Sequence, residues 1–214
     1  ELTIPLQALM VPECMTMPKS VTFADGSATA DIKVSVSEEM KTFTEYQLSF
    51  RIPEEYSNAY AADGKSPIFN ITVKKEDFKV VAHGVFVDKI LYKSQWEQTL
   101  EYSPLLGIYR IPDCFVVGGH WYFHFNGSDE FWFTDAEGNK VLKFASGYNH
   151  ASYGMIMANV ETDYEMGYDT SVPGVEGQFY VVMSMTVSAG SFGTNYELFN
   201  ILEWLEKPWE TDAE

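Results

Sequence analysis

The sequence predicts an all-β fold: an immunoglobulin-like β-sandwich over residues 1–77, then a larger antiparallel β-sandwich or barrel-like domain over 78–214. Three observations carry this. Apolar and polar residues alternate with period two through most of the chain, the pattern of strands buried on one face. Turn-forming pairs recur between the alternating runs: Asp25-Gly26, Asp63-Gly64, Gly118-Gly119, Asn126-Gly127, Gly138-Asn139 and Pro173-Gly174. The pattern changes near 76–80, with no internal repeat, low-complexity tract or flexible linker there.

In chain order, residues 28–36 place Ile32, Val34 and Val36 on one face, with Asp31, Lys33 and Ser35 on the other. Residues 44–52 point Tyr46, Leu48, Phe50 and Ile52 inward, and Phe69, Ile71 and Val73 repeat the alternation. Pro53-Glu54-Glu55-Tyr56 has the form of one short helical turn, since proline suits a first helical position. The second set starts near Phe78 with Val85 and Val87, then runs through 107–111, 114–125, 130–134, 140–145, 154–160 and 178–188. Its clearest member alternates Phe179, Val181, Met183, Met185 and Val187 with Tyr180, Val182, Ser184, Thr186 and Ser188. Near the end, Leu198, Ile201, Leu202 and Leu205 fit the spacing of a short C-terminal helix before Pro208, while Phe199 and Ile201 equally fit one face of a strand.

Charge narrows the function. Fourteen Lys and Arg stand against 31 Asp and Glu, a net charge of −17. Such a surface repels phosphate backbones and anionic membrane faces, which argues against nucleic acid and direct membrane binding. No apolar run approaches the 18 residues of a membrane-spanning helix. Two cysteines cannot build a disulfide scaffold, although Cys14 and Cys114 could pair in an exported protein. The chain opens on Glu1 and not Met, as a trimmed export signal or a domain cut from a longer protein would leave it.

The richest stretch is His120-Trp121-Tyr122-Phe123-His124-Phe125, followed by Asn126-Gly127-Ser128-Asp129 and Glu130-Phe131-Trp132-Phe133. A four-residue loop over 126–129 pairs Phe125 with Glu130, Phe123 with Trp132 and Trp121 with Thr134. Trp121, Phe123, Phe125 and Trp132 then share one face, and Tyr122, His124, Phe131 and Phe133 the other. A hairpin aromatic on both faces is either a platform for sugar rings or a central element buried on both sides. Read as a platform, it offers Trp121, Tyr122 and Trp132 as stacking residues, with His124, Tyr148, Asn149 and His150 as polar candidates.

Other chemistries find little support. On a strand, His120 and His124 lie roughly 13 Å apart, too far to share zinc. Asp135, Glu137 and Asn139 have Gly138 at the wrong place for an EF-hand loop, while Glu161, Asp163, Glu165 and Asp169 form a looser acidic cluster. No nucleophile elbow, dinucleotide fingerprint or phosphate-cradling loop is present, and no carboxylate pair stands out. The expectation is a non-enzymatic protein with no cofactor and no metal.

Several short motifs resemble a family of Bacteroidetes surface lipoproteins. Val21-Thr22-Phe23-Ala24-Asp25-Gly26, Ile32-Lys33-Val34-Ser35-Val36 and Leu48-Ser49-Phe50-Arg51-Ile52 look like its N-terminal Calx-beta-like or immunoglobulin-like module. Gly84-Val85-Phe86-Val87-Asp88, Gly107-Ile108-Tyr109-Arg110-Ile111-Pro112-Asp113 and Ser188-Ala189-Gly190-Ser191-Phe192-Gly193 are similar to segments of its second β domain. The resemblance implies export and anchoring at the outer membrane through an N-terminal lipid on a cysteine absent from this chain. It also implies a polysaccharide or oligosaccharide ligand. The alternative is a structural or adhesin-type assembly module with an outer-membrane protein partner. The acidic calcium loops of Calx-beta domains have no clear counterpart here.

Overall fold

The computed structural model describes residues 1–56, 67–160 and 165–210. The chain divides into two compact units, Glu1–Glu76 and Asp77–Glu214. Both are built from strands, as the alternation predicts.

The first unit holds β1 (Leu2–Pro5), β2 (Gln7–Met10), β3 (Met15–Thr16), β4 (Ser20–Phe23), β5 (Ser35–Val36), β6 (Glu45–Arg51) and β7 (Ile68–Lys74). They pair antiparallel as β1–β4, β3–β5 and β2–β6–β7. Leu48 and Phe50 on β6 point inward as their alternation requires, Phe50 joining Ile4, Leu6 and Val21, and Leu48 joining Cys14, Met15 and Met40. Pro53 is followed by one 3-10 turn at Glu54–Tyr56.

Two details depart from expectation. Residues 28–34 keep alternating burial, with Ala30 and Ile32 packed on one core cluster and Val34 on the other, yet among the described residues they join no ladder until Ser35 and Val36 pair with β3. Side-chain periodicity reports burial, and here burial comes without a backbone partner. On β7, Phe69 stacks on Phe50 at 5.1 Å but stays exposed, as does Ile71. The Asp63-Gly64 turn signal lies outside the described residues.

The second unit holds β8 (Lys79–Asp88), β9 (Ser94–Ser103), β10 (Ile108–Ile111), β11 (Trp121–Phe125), β12 (Phe131–Thr134), β13 (Lys143–His150), β14 (Gly154–Asn159), β15 (Met166–Asp169), β16 (Gly177–Val187) and β17 (Gly190–Trp204). They form one antiparallel sheet of ten strands among the described residues, in the order β12-β11-β10-β9-β8-β17-β16-β14-β13, with β15 also paired to β16. The sheet curls into a half-barrel. Its ends are drawn together: Phe133 on β12 stacks on Phe144 of β13 at 4.9 Å, and Val141 N–H donates to Phe133 C=O.

The concave side is an aromatic core. Phe86, Tyr109, Trp121, Phe123, Phe125, Phe133, Phe179 and Phe199 are buried in it together with Ile156, Met183 and Met185. Residues 198–205 form no C-terminal helix. β17 lies between β16 and β8, so a strand there satisfies backbone groups on both edges, and Phe199 and Ile201 fill the inner face. Among the described residues of this region, the helical piece is a 3-10 turn at Pro208–Glu210. It carries Trp209 against Phe125 at 5.1 Å and across Gly127, where an added Cβ would lie 2.3 Å from the indole. Residues 114–120, expected as strand, form a tight loop closed by Cys114 N–H to Gly119 C=O. Cys14 and Cys114 are both free and buried.

Candidate functional site

The β11–β12 hairpin pairs one residue out of the expected register. Phe125 opposes Phe131, His124 opposes Trp132, Phe123 opposes Phe133 and Tyr122 opposes Thr134, so the loop is Asn126–Glu130. Asn126 makes the longer loop: its Oδ1 accepts the amides of Ser128 at 2.9 Å and Glu130 at 3.1 Å. A shift of one residue exchanges the faces of a strand. Phe131 and Phe133 therefore turn inward with Trp121, Phe123 and Phe125, while Trp132 turns outward with Tyr122 and His124.

This removes Trp121 from any binding platform. It is 1% exposed, and its Nε1–H donates to Ser146 C=O at 3.0 Å. Trp132 is half-buried, with the His124 ring stacked on it at 4.2 Å and the Lys140 ammonium 5.3 Å from its centroid. His124 Nδ1 also contacts Gly107 C=O at 3.2 Å, and Tyr122 packs on Phe78 at 6.0 Å. His124 and Trp132 thus cover one face of each other, while Tyr122 is engaged by Phe78 and His120.

Tyr148, Asn149 and His150 lie elsewhere, at the end of β13, Tyr148 within and the other two just past a bulge between Ala145 and Asn149. Gly147 shapes the bulge. Its φ is +92°, and an added Cβ would fall 2.6 Å from Gly119 Cα, so only glycine fits. Past this point a row of rings runs along one end of the half-barrel. Trp96 and Phe115 pack at 5.9 Å, Phe115 and Tyr92 at 6.0 Å, and Tyr92 and Tyr148 at 5.4 Å. Tyr148 meets His150 at 6.3 Å, and His150 stacks on Tyr153 at 4.8 Å and lies 5.9 Å from Phe192. Tyr92, Tyr153 and Phe192 are 49%, 53% and 38% exposed. Asn149, between Tyr148 and His150 on the strand, is exposed.

Two open depressions adjoin the row and share Ser94. One, of about 500 Å³, is lined by Tyr92, Ser94, Trp96, Asp113, Cys114 and Phe115. The other, of about 480 Å³, is lined by Val87, Asp88, Lys89, Lys93, Ser94, Gln95 and Asn195. The loop between them is held from beneath. Asp88 accepts the amides of Ile90 at 2.9 Å, Leu91 at 3.0 Å and Tyr92, and Glu197 accepts the amide of Lys89 at 3.2 Å. Burial, followed by the Asp88 charge, pushes the Glu197 carboxyl up to about 9, so it is neutral at pH 7. Burial also drives the Cys114 thiol well above its ordinary range, which disfavours a reactive thiolate. Tyr92 is raised by burial and by its hydrogen bond to Tyr148.

The acidic loops serve local structure. Asp135 accepts the amides of Glu137 and Asn139 and pins its own turn. Asp169 caps Ser171, and Glu165 accepts the Tyr196 hydroxyl, while Glu161 and Asp163 lie outside the described residues. His120 pairs with Asp113 at 3.6 Å and not with His124.

The row thus contains two of the expected residues, Tyr148 and His150, and adds Trp96, Phe115, Tyr92, Tyr153 and Phe192. A signal for two of these was present in the sequence. Phe192 lies in Gly190-Ser191-Phe192-Gly193, just past the turn that opens β17, and Tyr153 immediately precedes Gly154 in a turn, so each is a large ring in a glycine-flanked segment at a strand end. No protein family, curated protein or solved structure matches this chain.

Proposed function

We propose that this is a non-catalytic binding protein for extracellular glycan, and that the ring row of the second unit takes the sugar. The observation that carries this reading is the exposure of Tyr92, Tyr153 and Phe192 within one continuous series of aromatic contacts. The C–H faces of sugars stack on such rings, while Asn149, Ser94, Gln95 and Asn195 supply hydrogen bonds to hydroxyls. Export to the cell surface, with a lipid anchor upstream, is part of the proposal and rests on the sequence resemblance.

Trp96 lies in the row and serves as an intrinsic reporter. Tryptophan emission is to be titrated with plant, mucin and microbial oligosaccharides, in the wild type and in Trp96→Phe, which should lose the signal that comes from the row. A saturable change is expected with one class. Tyr153→Ala and Phe192→Ala should each weaken it about tenfold or more, the ~1.4 kcal/mol of a contact that carries binding energy. Silence across the panel, or binding indifferent to both variants, overturns the reading. A protein-docking role is the second reading, favoured by Val117, which is 93% exposed at the tip of the 114–119 loop. Val117→Ser would then abolish a partner interaction and leave glycan titrations unchanged.

A further inference from the structure

The depression next to the ring row has an unusual charge for this molecule. On a chain of net charge −17, it brings Lys89 and Lys93 to one wall set. Neither lysine has a carboxylate partner among the described residues. The one acid on that wall, Asp88, is buried and spends both oxygens on the amides of residues 90–92. Ser94, Gln95 and Asn195, which complete the lining, are neutral donors and acceptors.

The backbone beneath the lysines is held in place. Lys93 has φ of 52°, a conformation non-glycine residues rarely adopt, at the end of the loop that Asp88 grips. Tyr92, which precedes it, is the ring that joins the depression lined by Trp96 and Phe115 to Tyr148. A sugar stacked at Tyr92 therefore has on one flank two ammonium groups that no carboxylate pairs among the described residues. On the other flank, Asp113 accepts Gly118 N–H at 2.6 Å and is turned toward its own loop, its amide donating to His120 Nδ1 at 3.1 Å. At physiological ionic strength the screening length is about 8 Å, so these neighbours outweigh the distant acidic surface.

We propose that the glycan bound here carries an anionic substituent, a carboxylate or a sulfate, held by Lys89 and Lys93. This rests on the glycan reading of the ring row.

The test uses the whole chain and its tryptophan emission, to which Trp96 in the row contributes. A galacturonate trisaccharide, its carboxyl-reduced galactose counterpart and a sulfated disaccharide are titrated into the wild type, into Lys89→Gln/Lys93→Gln and into Tyr153→Ala/Phe192→Ala. The wild type should bind an acidic probe at least tenfold tighter than the neutral trisaccharide. The lysine double variant should lose that preference while keeping its thermal midpoint, since both residues are exposed. Preference for the sulfated probe over galacturonate assigns the anion to sulfate, and the reverse to carboxylate. Equal affinity for acidic and neutral probes, or a preference untouched by the lysine variant, overturns the anionic inference and leaves the glycan reading standing. No binding by any probe, with a silent wider panel, overturns both.

Discussion

Glu197 ties the stability of the second unit to pH. The register that pairs Leu198 with Val87 puts Glu197 directly across from Asp88 on the inner face. Glu197 is 1% exposed, and its Oε2 has no partner. Its carboxyl moves from 4.5 to about 9, chiefly through burial. The sign follows from proton counting: between these values the folded chain keeps a proton that the unfolded chain has released. The cost is therefore absent below pH 4.5, grows by about 1.4 kcal/mol per pH unit, and levels off above pH 9. Taken in full, that is about 3 kcal/mol at pH 7, and relaxation around the group reduces it.

Glu197→Gln keeps the shape and removes the ionisation. It should unfold in urea with a stability about 2 kcal/mol above the wild type at pH 8, the gap closing toward pH 4.5. Trp96, Trp121, Trp132, Trp204 and Trp209 all lie in the second unit, so tryptophan emission follows that unit alone. A stability difference that stays constant from pH 5 to pH 9 would refute the assignment. So would a glutamine variant that is the less stable of the two at pH 8.

Three further outcomes are expected. Gly147→Ala has no room at Gly119 Cα and is strained at φ +92°, so it should cost about 2 kcal/mol or more in denaturant titrations. Trp121→Phe leaves Ser146 C=O without its donor and should cost about 1–3 kcal/mol, read by the same titration. Cys14 and Cys114 should resist a thiol reagent in the native protein and both react in denaturant, because each is free and buried. A disulfide found by mass analysis would contradict this.

Most of the strands were legible because their apolar residues repeat every second position. β6, β10, β12, β14 and β16 fall where the alternation puts them. The residues facing inward on β16 are the predicted Phe179, Val181, Met183 and Met185. The candidate site was less legible. Its central hairpin depended on whether the loop held four residues or five, and Asn126 decided this with two side-chain bonds that periodicity does not encode. That difference sent Trp132 outward and Phe131 and Phe133 inward. Tyr148, Asn149 and His150 came from the sequence, whereas their ring partners Tyr92 and Phe192 are some 40 to 60 residues away in the chain and meet them only when the sheet curls.

The sequence by itself determined the all-β class, the buried face of the main strands and the acidic surface, because each depends on local spacing or on composition alone. Tertiary structure decided the rest. Residues 198–205 suited a helix or a strand until β16 and β8 offered hydrogen bonds on both edges. Trp121 and Tyr153 are both aromatic residues of the same unit, yet curling the sheet sealed one against Ser146 and left the other at the rim. Which rings are core and which remain free is settled by closure between distant strands, and no local pattern carries that information.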